Sequence, residues 1–439
     1  MGVRVKDKEK GYSENSKYVL ASTFIMGLGQ LLYKQYIKGL MYLFLFIGFL
    51  FYLVIYGIDG INGLITLGTK KADTWLGIKG DNSILLLIMG ILSCILILLF
   101  VLVYISNIKD VKRTAKRVAM AKKPLTFKEE MAGLLDKNFY ASVLFLPVLG
   151  VCIFNIVPII FMIVLAFTNY GGNIIPPELV DWVGFQNFKN ILSLSQFAPT
   201  FFKILQWNVI WAALSTFINY FGGLFLALLL NKKNVKAKAF WRAFPVLAYA
   251  IPGFITLLAF KFMFSYGGPI NQLITAAGHR AIGFLDLDAK WIARFIGLGI
   301  NAWICIPTTM LLATGILSNM DESLYEAAKI DGASSWKRFI KITFPFVLFS
   351  TTPVLISQFM GNFNNFGIFY FLRGGLYLDG YFLASDTDLL INWLYNLSID
   401  NNYYSIGAAI SLVIFLLTST FSLAIYVRSH SYKEEDTFQ

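Results

Sequence analysis

Long apolar runs alternate with short polar segments along most of this chain. Each run holds about 20 residues or more, the length that a helix needs to cross a hydrocarbon core of about 30 Å. Because a bilayer offers no water to exposed peptide groups, such runs are expected to be helical. The pattern predicts an all-α polytopic membrane protein with about eight transmembrane helices. The predicted spans are Gly39–Gly57, Ser83–Ser106, Phe139–Phe167, Trp207–Leu230, Ala239–Phe262, Phe295–Leu317, Phe346–Phe366 and Tyr404–Val427.

The charges between the spans predict which side of the membrane each loop faces. Three segments are rich in lysine and arginine and are expected in the cytoplasm: Asn107–Lys137, Asn231–Arg242 and 318–345. Three loops are poorer in basic residues for their length and are expected outside: Thr168–Gln206, Ser265–Arg294 and Leu372–Tyr403. Alternation of the spans agrees with this assignment and places both termini in the cytoplasm.

The same pattern predicts how the chain is organised. The N-terminal segment, 1–38, is expected to be cytoplasmic or interfacial. Its residues 1–17 are polar and are not closely followed by a short apolar core with a small-residue cleavage site, so a cleaved signal peptide is not expected. Within it, Tyr18–Leu32 is interpreted as an interfacial or re-entrant segment. The remaining parts are a transmembrane hairpin (39–106), a basic cytoplasmic linker (107–138), a core of six transmembrane helices (139–427) and a cytoplasmic tail (428–439).

The polar segment 318–345 has an ordered pattern of its own. Asn319 and Glu322 stand at the spacing of a capping box, so a helix is expected to begin there and to run to about Ile330. Gly332 is expected to end that helix, because glycine readily adopts the backbone conformation that closes a helix.

A second short helix is predicted after this glycine, capped by Ser334 or Ser335 and ended by Pro345. One side of it carries Trp336, Phe339, Ile340 and Thr343, and the other carries Lys337, Arg338 and Lys341. Two short helices joined at a glycine form a compact elbow, the name used below for 318–345. The elbow is expected to face water and to bind another protein. The alternative is a solvated loop whose basic residues only follow the charge rule of membrane topology.

Several asparagines lie within the apolar runs, where an unpaired amide is unfavourable: Asn301, Asn362, Asn364 and Asn365. One interpretation is hydrogen bonding between helices. The other is a sugar site, because amides both donate to and accept from hydroxyl groups, while aromatic rings such as Tyr249 and Phe366 cover the C–H face of a sugar. Asn362 and Asn365 are three residues apart and are expected on one helical face, with Asn364 directed elsewhere.

Composition excludes several classes of protein. The chain is 57% hydrophobic and only 14% charged, with a net charge of +12. The basic residues lie between spans rather than in a basic domain, so nucleic acid is not an expected partner. Cys94, Cys152 and Cys305 lie in apolar runs, and His279 and His430 are far apart, so no metal site is predicted. The sequence contains no Gly-Lys pair and thus no phosphate-binding P-loop, so any ATP that drives the protein binds another chain.

The elbow resembles the cytoplasmic coupling loop, or EAA motif, of ABC-importer permeases. The resemblance rests on residue types at a fixed spacing: Glu326, Ala327, Ala328, Asp331, Gly332, Ala333, Phe339, Ile342 and Pro345. Further stretches resemble the maltose and maltodextrin branch of the carbohydrate importers: Phe167–Tyr170, Val183–Phe188, Tyr249–Pro252, Asn301–Trp303 and Asn362–Phe366. The likeness covers roughly 139 to the C-terminus. The two additional N-terminal spans suit the larger of the two permease subunits of that branch, although a large outward insertion found in some relatives is absent.

This resemblance implies a transport subunit rather than an enzyme, with no catalytic residue and no cofactor of its own. The implied partners are a second, smaller permease, two ATP-binding subunits, an external solute-binding protein, membrane lipid and an oligosaccharide, in the bacterial cytoplasmic membrane. The residues implied in coupling to the ATPase are Glu326, Ala327, Ala328, Asp331, Gly332, Ala333, Trp336 and Phe339.

Sugar-contacting positions of the resembled permeases correspond to Tyr249, Asn301, Asn362 and Asn365. Neighbouring positions differ in polarity or shape, namely Gly253, Ile304, Cys305 and Gly361. The resemblance implies maltodextrin as the substrate, and the differing positions leave another oligosaccharide or a glycerol-phosphate-type compound as the alternative. Pro252 and Pro307 are expected to break their helices near these positions, which is a common way to build a transport site.

Two other classes of membrane protein are less consistent with the residues. An ion-coupled transporter or channel usually carries buried ionisable groups in its spans, and these spans show almost none. A membrane-embedded enzyme would need paired carboxylates, a histidine cluster or an activated nucleophile, and no such constellation is visible in the sequence.

Overall fold

The computed structural model describes residues 17–73, 75–136, 139–232 and 234–428. Within these ranges seven helices are long and apolar enough to cross a membrane, and a bent helix pair makes an eighth if it is counted as one span. The predicted all-α polytopic architecture is therefore confirmed. The chain divides into two compact units, one ending at Gly184 and one beginning at Phe185. The five segments predicted from the sequence stay predictions, because the two compact units reflect contacts within the chain and not the roles of its segments.

The first unit begins with a helical turn region at 17–24 and continues through mostly long helices. These are α1 (Leu28–Leu32), α2 (Tyr36–Thr66), α3 (Ser83–Ala119), α4 (Phe127–Leu135) and α5 (Phe139–Leu165). A single π-turn interrupts α2 at Leu53–Gly57 and α5 at Cys152–Ile156. A small apolar cluster lies inside this unit and contains Leu67, Leu87, Ile91 and Val180.

Helix α3 is longer than the apolar run that predicted it. The Asn82 side chain accepts a hydrogen bond from the backbone N–H of Leu85 and so caps the helix, which then continues beyond Ser106 to Ala119. Buried Asn107 anchors this extension, because the Gln30 amide donates to its Oδ1 at 2.9 Å. The basic residues that follow Asn107 thus lie on a helix, and the segment that contains Gln30 packs against it.

The second unit contains the remaining spans and several short helices. They are α6 (Gln186–Ser193), α7 (Ala198–Asn231), α8 (Lys238–Ala250), α9 (Gly253–Met263), α10 (Pro269–Ala276), α11 (Lys290–Ser318), α12 (Glu322–Ile330), α13 (Ser335–Arg338), α14 (Phe344–Phe363), α15 (Phe366–Arg373), α16 (Leu390–Tyr395) and α17 (Tyr404–Arg428). Two further π-turns lie at Phe339–Thr343 and Asn396–Asp400.

Helices α7 and α11 pack closely in this unit. A Cβ atom placed on Gly223 of α7 would lie 2.5 Å from Cβ of Thr309 and 2.9 Å from the backbone N of Met310, so a larger side chain would force the two helices apart. Two apolar clusters surround these helices. One contains Trp207, Trp211, Leu257, Ile300, Ile368, Phe369, Leu372 and Leu389, and the other, which includes this contact, contains Tyr220, Leu224, Ala227, Met310, Ala313 and Val347. This packing holds α11 at a fixed position for the polar groups described next.

The prolines in the spans behave differently from one another. Pro252 lies at the break between α8 and α9, which meet at 90°, so the predicted break is confirmed. The predicted break at Pro307 is wrong, since α11 runs through it and neighbouring helices tolerate the lost backbone bond. Pro345 was predicted to end a helix and instead lies near the start of α14, because the π-turn before it accommodates a residue without an amide N–H.

Candidate functional site

Three asparagine amides from two spans meet inside the second unit. Asn301 of α11 donates from Nδ2 to Oδ1 of Asn362 at 3.3 Å, and its own Oδ1 accepts from Nδ2 of Asn365 at 3.1 Å. Asn301 is 2% exposed and Asn362 is 4% exposed. The structure therefore brings together three of the four residues predicted to contact sugar, and Asn301 connects the other two.

This amide cluster, defined as Asn301, Asn362 and Asn365, is tied to α7 by further hydrogen bonds. Asn362 donates from Nδ2 to Thr216 Oγ1 at 3.0 Å, and Trp211 donates from its indole N–H to the backbone oxygen of Asn362 at 3.1 Å. Sequence analysis did not find Thr216 and Trp211, although a threonine and a tryptophan within an apolar run are themselves polar exceptions that need partners.

The shared helical face predicted for Asn362 and Asn365 is wrong. Helix α14 ends at Phe363, and Asn365 stands at the N-terminus of α15, where its Oδ1 accepts from the backbone N–H of Ile368 at 3.3 Å. The break re-aims the Asn365 side chain, so the two amides meet through Asn301 rather than through one helix. Asn364 points away and donates to the backbone oxygen of Met360.

The fourth predicted sugar contact lies outside the hydrogen bonds of the amide cluster. Tyr249 is 60% exposed near the end of α8, next to the bend. Phe366 stacks on Tyr370 with ring centroids 4.5 Å apart. Hydrogen bonding between helices is thus present in the amide cluster, while sugar contact by these residues stays a prediction.

A buried charge network joins the ends of two spans, and the sequence did not predict it. Arg373 is 2% exposed and donates from Nη1 to Asp386 Oδ1 at 2.8 Å, and from Nη2 to the backbone oxygen of Asp286 at 2.8 Å. The guanidinium carbon of Arg294 lies 3.7 Å from the centroid of the Trp207 ring. The predicted spans begin after Arg294 and end before Arg373, so the hydropathy pattern assigns both residues to loops.

A second acid in the same loop, Leu372–Tyr403, has an unusual environment. Asp388 is 4% exposed, and its Oδ2 accepts from the backbone N–H of Ser385 at 2.8 Å and from Asn396 Nδ2 at 3.3 Å. Burial raises the pKa of Asp388 to about 6, because a carboxylate is poorly solvated there; the Ser385 N–H and Arg373 act in the opposite direction.

Replacing Asp388 with asparagine is expected to raise the melting temperature at pH 7.5 but not at pH 4. With a raised pKa, the neutral acid stabilises the fold at low pH, and this contribution is lost as the pH rises through about 6. A rise from about 3.9 to about 6 corresponds to about 3 kcal/mol at neutral pH. Intrinsic-fluorescence melting of D388N in micelles from pH 4 to 8 measures this, with D379N in the same loop as an exposed control. Parallel pH curves for D388N and the parent would contradict it.

The elbow contains the first predicted helix at the predicted position. Helix α12 runs from Glu322 to Ile330, but its cap is Asp321, whose Oδ1 accepts from the backbone N–H of Ser323 at 2.8 Å; the predicted cap at Asn319 is wrong. Asn319 instead ends α11, which extends further than its apolar run. The Ser323 N–H lowers the pKa of Asp321, so the cap is a charged one that favours the helix N-terminus.

Gly332 makes the bend of the elbow. Its φ is +75°, and beside it the backbone N–H of Ala333 donates to the oxygen of Ala328 at 2.9 Å. The N–H of Gly332 donates to the oxygen of Lys329 at 3.1 Å, which completes a left-handed helix ending. The predicted end of the first helix at this glycine is confirmed.

The second arm of the elbow begins at the cap Ser334, which accepts from the backbone N–H of Lys337 at 3.3 Å. This arm runs without interruption through the π-turn into α14. Tyr325 and Thr343 join the two arms through a hydroxyl contact of 2.7 Å. Ile330 and Trp336 stay 86% and 70% exposed on either side of the bend, so the elbow presents apolar side chains to its surroundings.

Known proteins resemble this chain along most of its length. Residues 219–431 match the model of the family described as binding-protein-dependent transport system inner membrane component. The galactooligosaccharides transport system permease protein GanP of Bacillus subtilis (strain 168) is 34% identical over 96% of this chain and 100% of that protein. The maltodextrin transport system permease protein MalC of Streptococcus pneumoniae serotype 4 is 36% identical over 96% of this chain and 97% of that protein.

A solved structure supports the fold. It is the crystal structure of a bacterial alginate ABC transporter in complex with an alginate pentasaccharide-bound periplasmic protein. One of its chains matches with a TM-score of 0.55 at 19% identity, covering 68% of this chain and 96% of that one. Together with the coverage of the sequence relatives, the helices place the protein in the membrane as a multi-pass transport subunit. The chain belongs to the inner membrane permease components of binding-protein-dependent ABC transport systems.

Proposed function

We propose that this chain is the larger permease subunit of an importer for a neutral oligosaccharide, with maltodextrin as the first candidate. The observation that carries this proposal is the amide cluster, in which Asn301 joins Asn362 and Asn365 within hydrogen-bonding distance. Neutral amides that both donate and accept match the hydroxyl groups of a sugar. The names of relatives such as the maltodextrin permease MalC support the same substrate class.

Without substrate, the amides of the cluster bond to one another. Sugar hydroxyls then replace these bonds, so that buried polar atoms have partners in both states. Tyr249, which is 60% exposed beside the bend between α8 and α9, provides an aromatic face for the ring. Cys305 Sγ lies 3.7 Å from Asn301 Oδ1, so one of the four positions that differ from the resembled permeases lies beside the cluster.

The elbow is the proposed docking site for one of two cytoplasmic ATP-binding subunits, the other of which docks on a second, smaller permease. Exposed Ile330 and Trp336 support this role, since apolar side chains on a polar elbow are typical of an interface. Glu326 is exposed on α12 and pairs with the ATPase surface. Both termini lie in the cytoplasm, and an external binding protein delivers the sugar.

ATP binding closes the two ATPase subunits, and the docked elbow moves with them. The spans then change from an inward-open to an outward-open arrangement. This requires that ATP and the loaded binding protein each bind one arrangement better than the other.

The test is sugar-stimulated ATPase activity of the reconstituted complex, with its own binding protein and a panel of sugars. Maltodextrins of increasing length are expected to stimulate most. Stimulation by galactooligosaccharides alone would assign the substrate class named for GanP instead. Stimulation by a glycerol-phosphate compound alone, or by no sugar, would contradict the proposal. If the tagged chain is fully expressed in the membrane but purifies without an ATPase or a second permease, an ion-coupled transporter would be favoured instead.

A further inference from the structure

Helices α3 and α4 of the first unit border a cavity of about 510 Å³. Its volume lies in the range of ligand pockets. Basic side chains line it, and they are Arg113, Lys116, Arg117 and Lys122, together with Lys38. The charge rule of membrane topology explains why basic residues occur in this segment, but it does not explain why they converge on one cavity.

Two of the acids that line this cavity are already paired. Asp110 and Glu130 each accept from the ammonium group of Lys38 at 2.6 Å. The side chains of these three residues are between 15% and 25% exposed, so the group forms a partly buried wall of the cavity. Lys38 therefore neutralises carboxylates that would otherwise repel an anion.

The third acid, Glu129, is held by the capping box at the start of α4. Its Oε2 accepts from the backbone N–H of Thr126 at 2.7 Å, which lowers the pKa of Glu129, with a further contribution from the charge of Arg117. Arg117 donates from Nε to the backbone oxygen of Lys123 at 2.9 Å. Among the residues that the structure describes, no ion pair involves Arg113, Lys116 or Lys122. The cavity thus keeps an excess of positive charge.

The position of the cavity along α3 favours a lipid headgroup over a free anion as its ligand. The apolar part of α3 ends just before Asp110, and Lys38 lies in the first turn of α2, so the cavity begins where two spans leave the hydrocarbon. We propose that this cavity binds the phosphate headgroup of an anionic phospholipid at the membrane edge, with Arg113 and Lys116 contacting the phosphate.

The test measures binding of phosphatidylglycerol with a fluorescent acyl chain to the purified full chain in nonionic micelles. The double variant R113Q/K116Q is expected to bind it about 30-fold more weakly, at about 1 kcal/mol per basic residue near a membrane surface. The matched control K109Q/K112Q removes the same charge from exposed positions of the same helix that do not line the cavity. It is expected to bind like the parent, and labelled phosphatidylcholine is expected to bind all three proteins equally weakly.

Three results would overturn the proposal. Equal weakening in both double variants would show attraction to the whole basic helix rather than to the cavity. Displacement of the lipid by inorganic phosphate at an equal concentration would identify a free anion as the ligand. An unchanged affinity in R113Q/K116Q, with an unchanged melting temperature, would remove the cavity from consideration. None of these results depends on which sugar the protein carries.

Discussion

Replacing Gly332 with valine is expected to lower sugar uptake by one to two orders of magnitude while the chain stays in the membrane. The φ of +75° at this position disfavours any side chain, and a β-branched one most of all, by about 1–3 kcal/mol. Space is not the reason, because no atom lies within 4 Å of a Cβ atom placed there. The strain is relieved by opening the bend, which loses the backbone bonds of Gly332 and Ala333 and misdirects the elbow.

The measurement is uptake of labelled sugar by cells that express equal amounts of membrane-inserted variant. Gly332→Asn is the matched control, because asparagine tolerates the left-handed region, and it is expected to retain most of the uptake. Gly315→Val is a second control, because it adds the same side chain at an open position on α11 that has no positive φ. Normal uptake by the G332V variant, or equal losses in the valine and asparagine variants, would count against a role for the bend.

Replacing Asn301 with leucine is expected to raise the sugar concentration for half-maximal ATPase stimulation at least tenfold. The change removes the hydrogen-bond partner of Asn362 Oδ1 and of Asn365 Nδ2, and with it the centre of the amide cluster. Loss of two interhelical hydrogen bonds in a membrane destabilises by about 1–3 kcal/mol, so the melting temperature is also expected to fall.

A matched control separates packing from sugar contact. Tyr220→Phe removes another buried interhelical hydrogen bond, the 2.9 Å contact with Thr351, outside the amide cluster. It is expected to lower the melting temperature without changing the half-maximal sugar concentration. If N301L and Y220F lower stability alike and neither changes the response to sugar, the amides only hold helices together.

Several features of the elbow could be predicted from residues that are neighbours in the sequence. The end of α12, the bend at Gly332 and the cap at Ser334 follow from residues within one or two helical turns of each other, and the structure agrees with all three. The sequence did not predict that Asp321 caps α12 in place of Asn319. Helix α11 extends past its apolar run, so Asn319 serves as the C-terminal cap of α11.

The contacts within the amide cluster could not be predicted from the sequence. The residue types indicated a polar site in the spans, but the connection between Asn301 and Asn362 joins positions 61 residues apart. Hydrogen bonds from Thr216 and Trp211 depend on the distance between α7 and α14, which no pattern within either helix specifies. The network of Arg373 and Asp386 was missed for a related reason, since hydropathy excluded charged residues from the ends of the spans.

Sequence alone determined the class of the protein, the approximate positions of its spans and the bend of the elbow. These features depend on hydrophobic length, on helix capping and on the conformational freedom of glycine, all of which act between neighbours in the chain. Only the tertiary structure decided which amides meet, where prolines break a helix, and which charges are buried or line a cavity. These features depend on contacts between distant segments, whose geometry is fixed by the packing of whole helices.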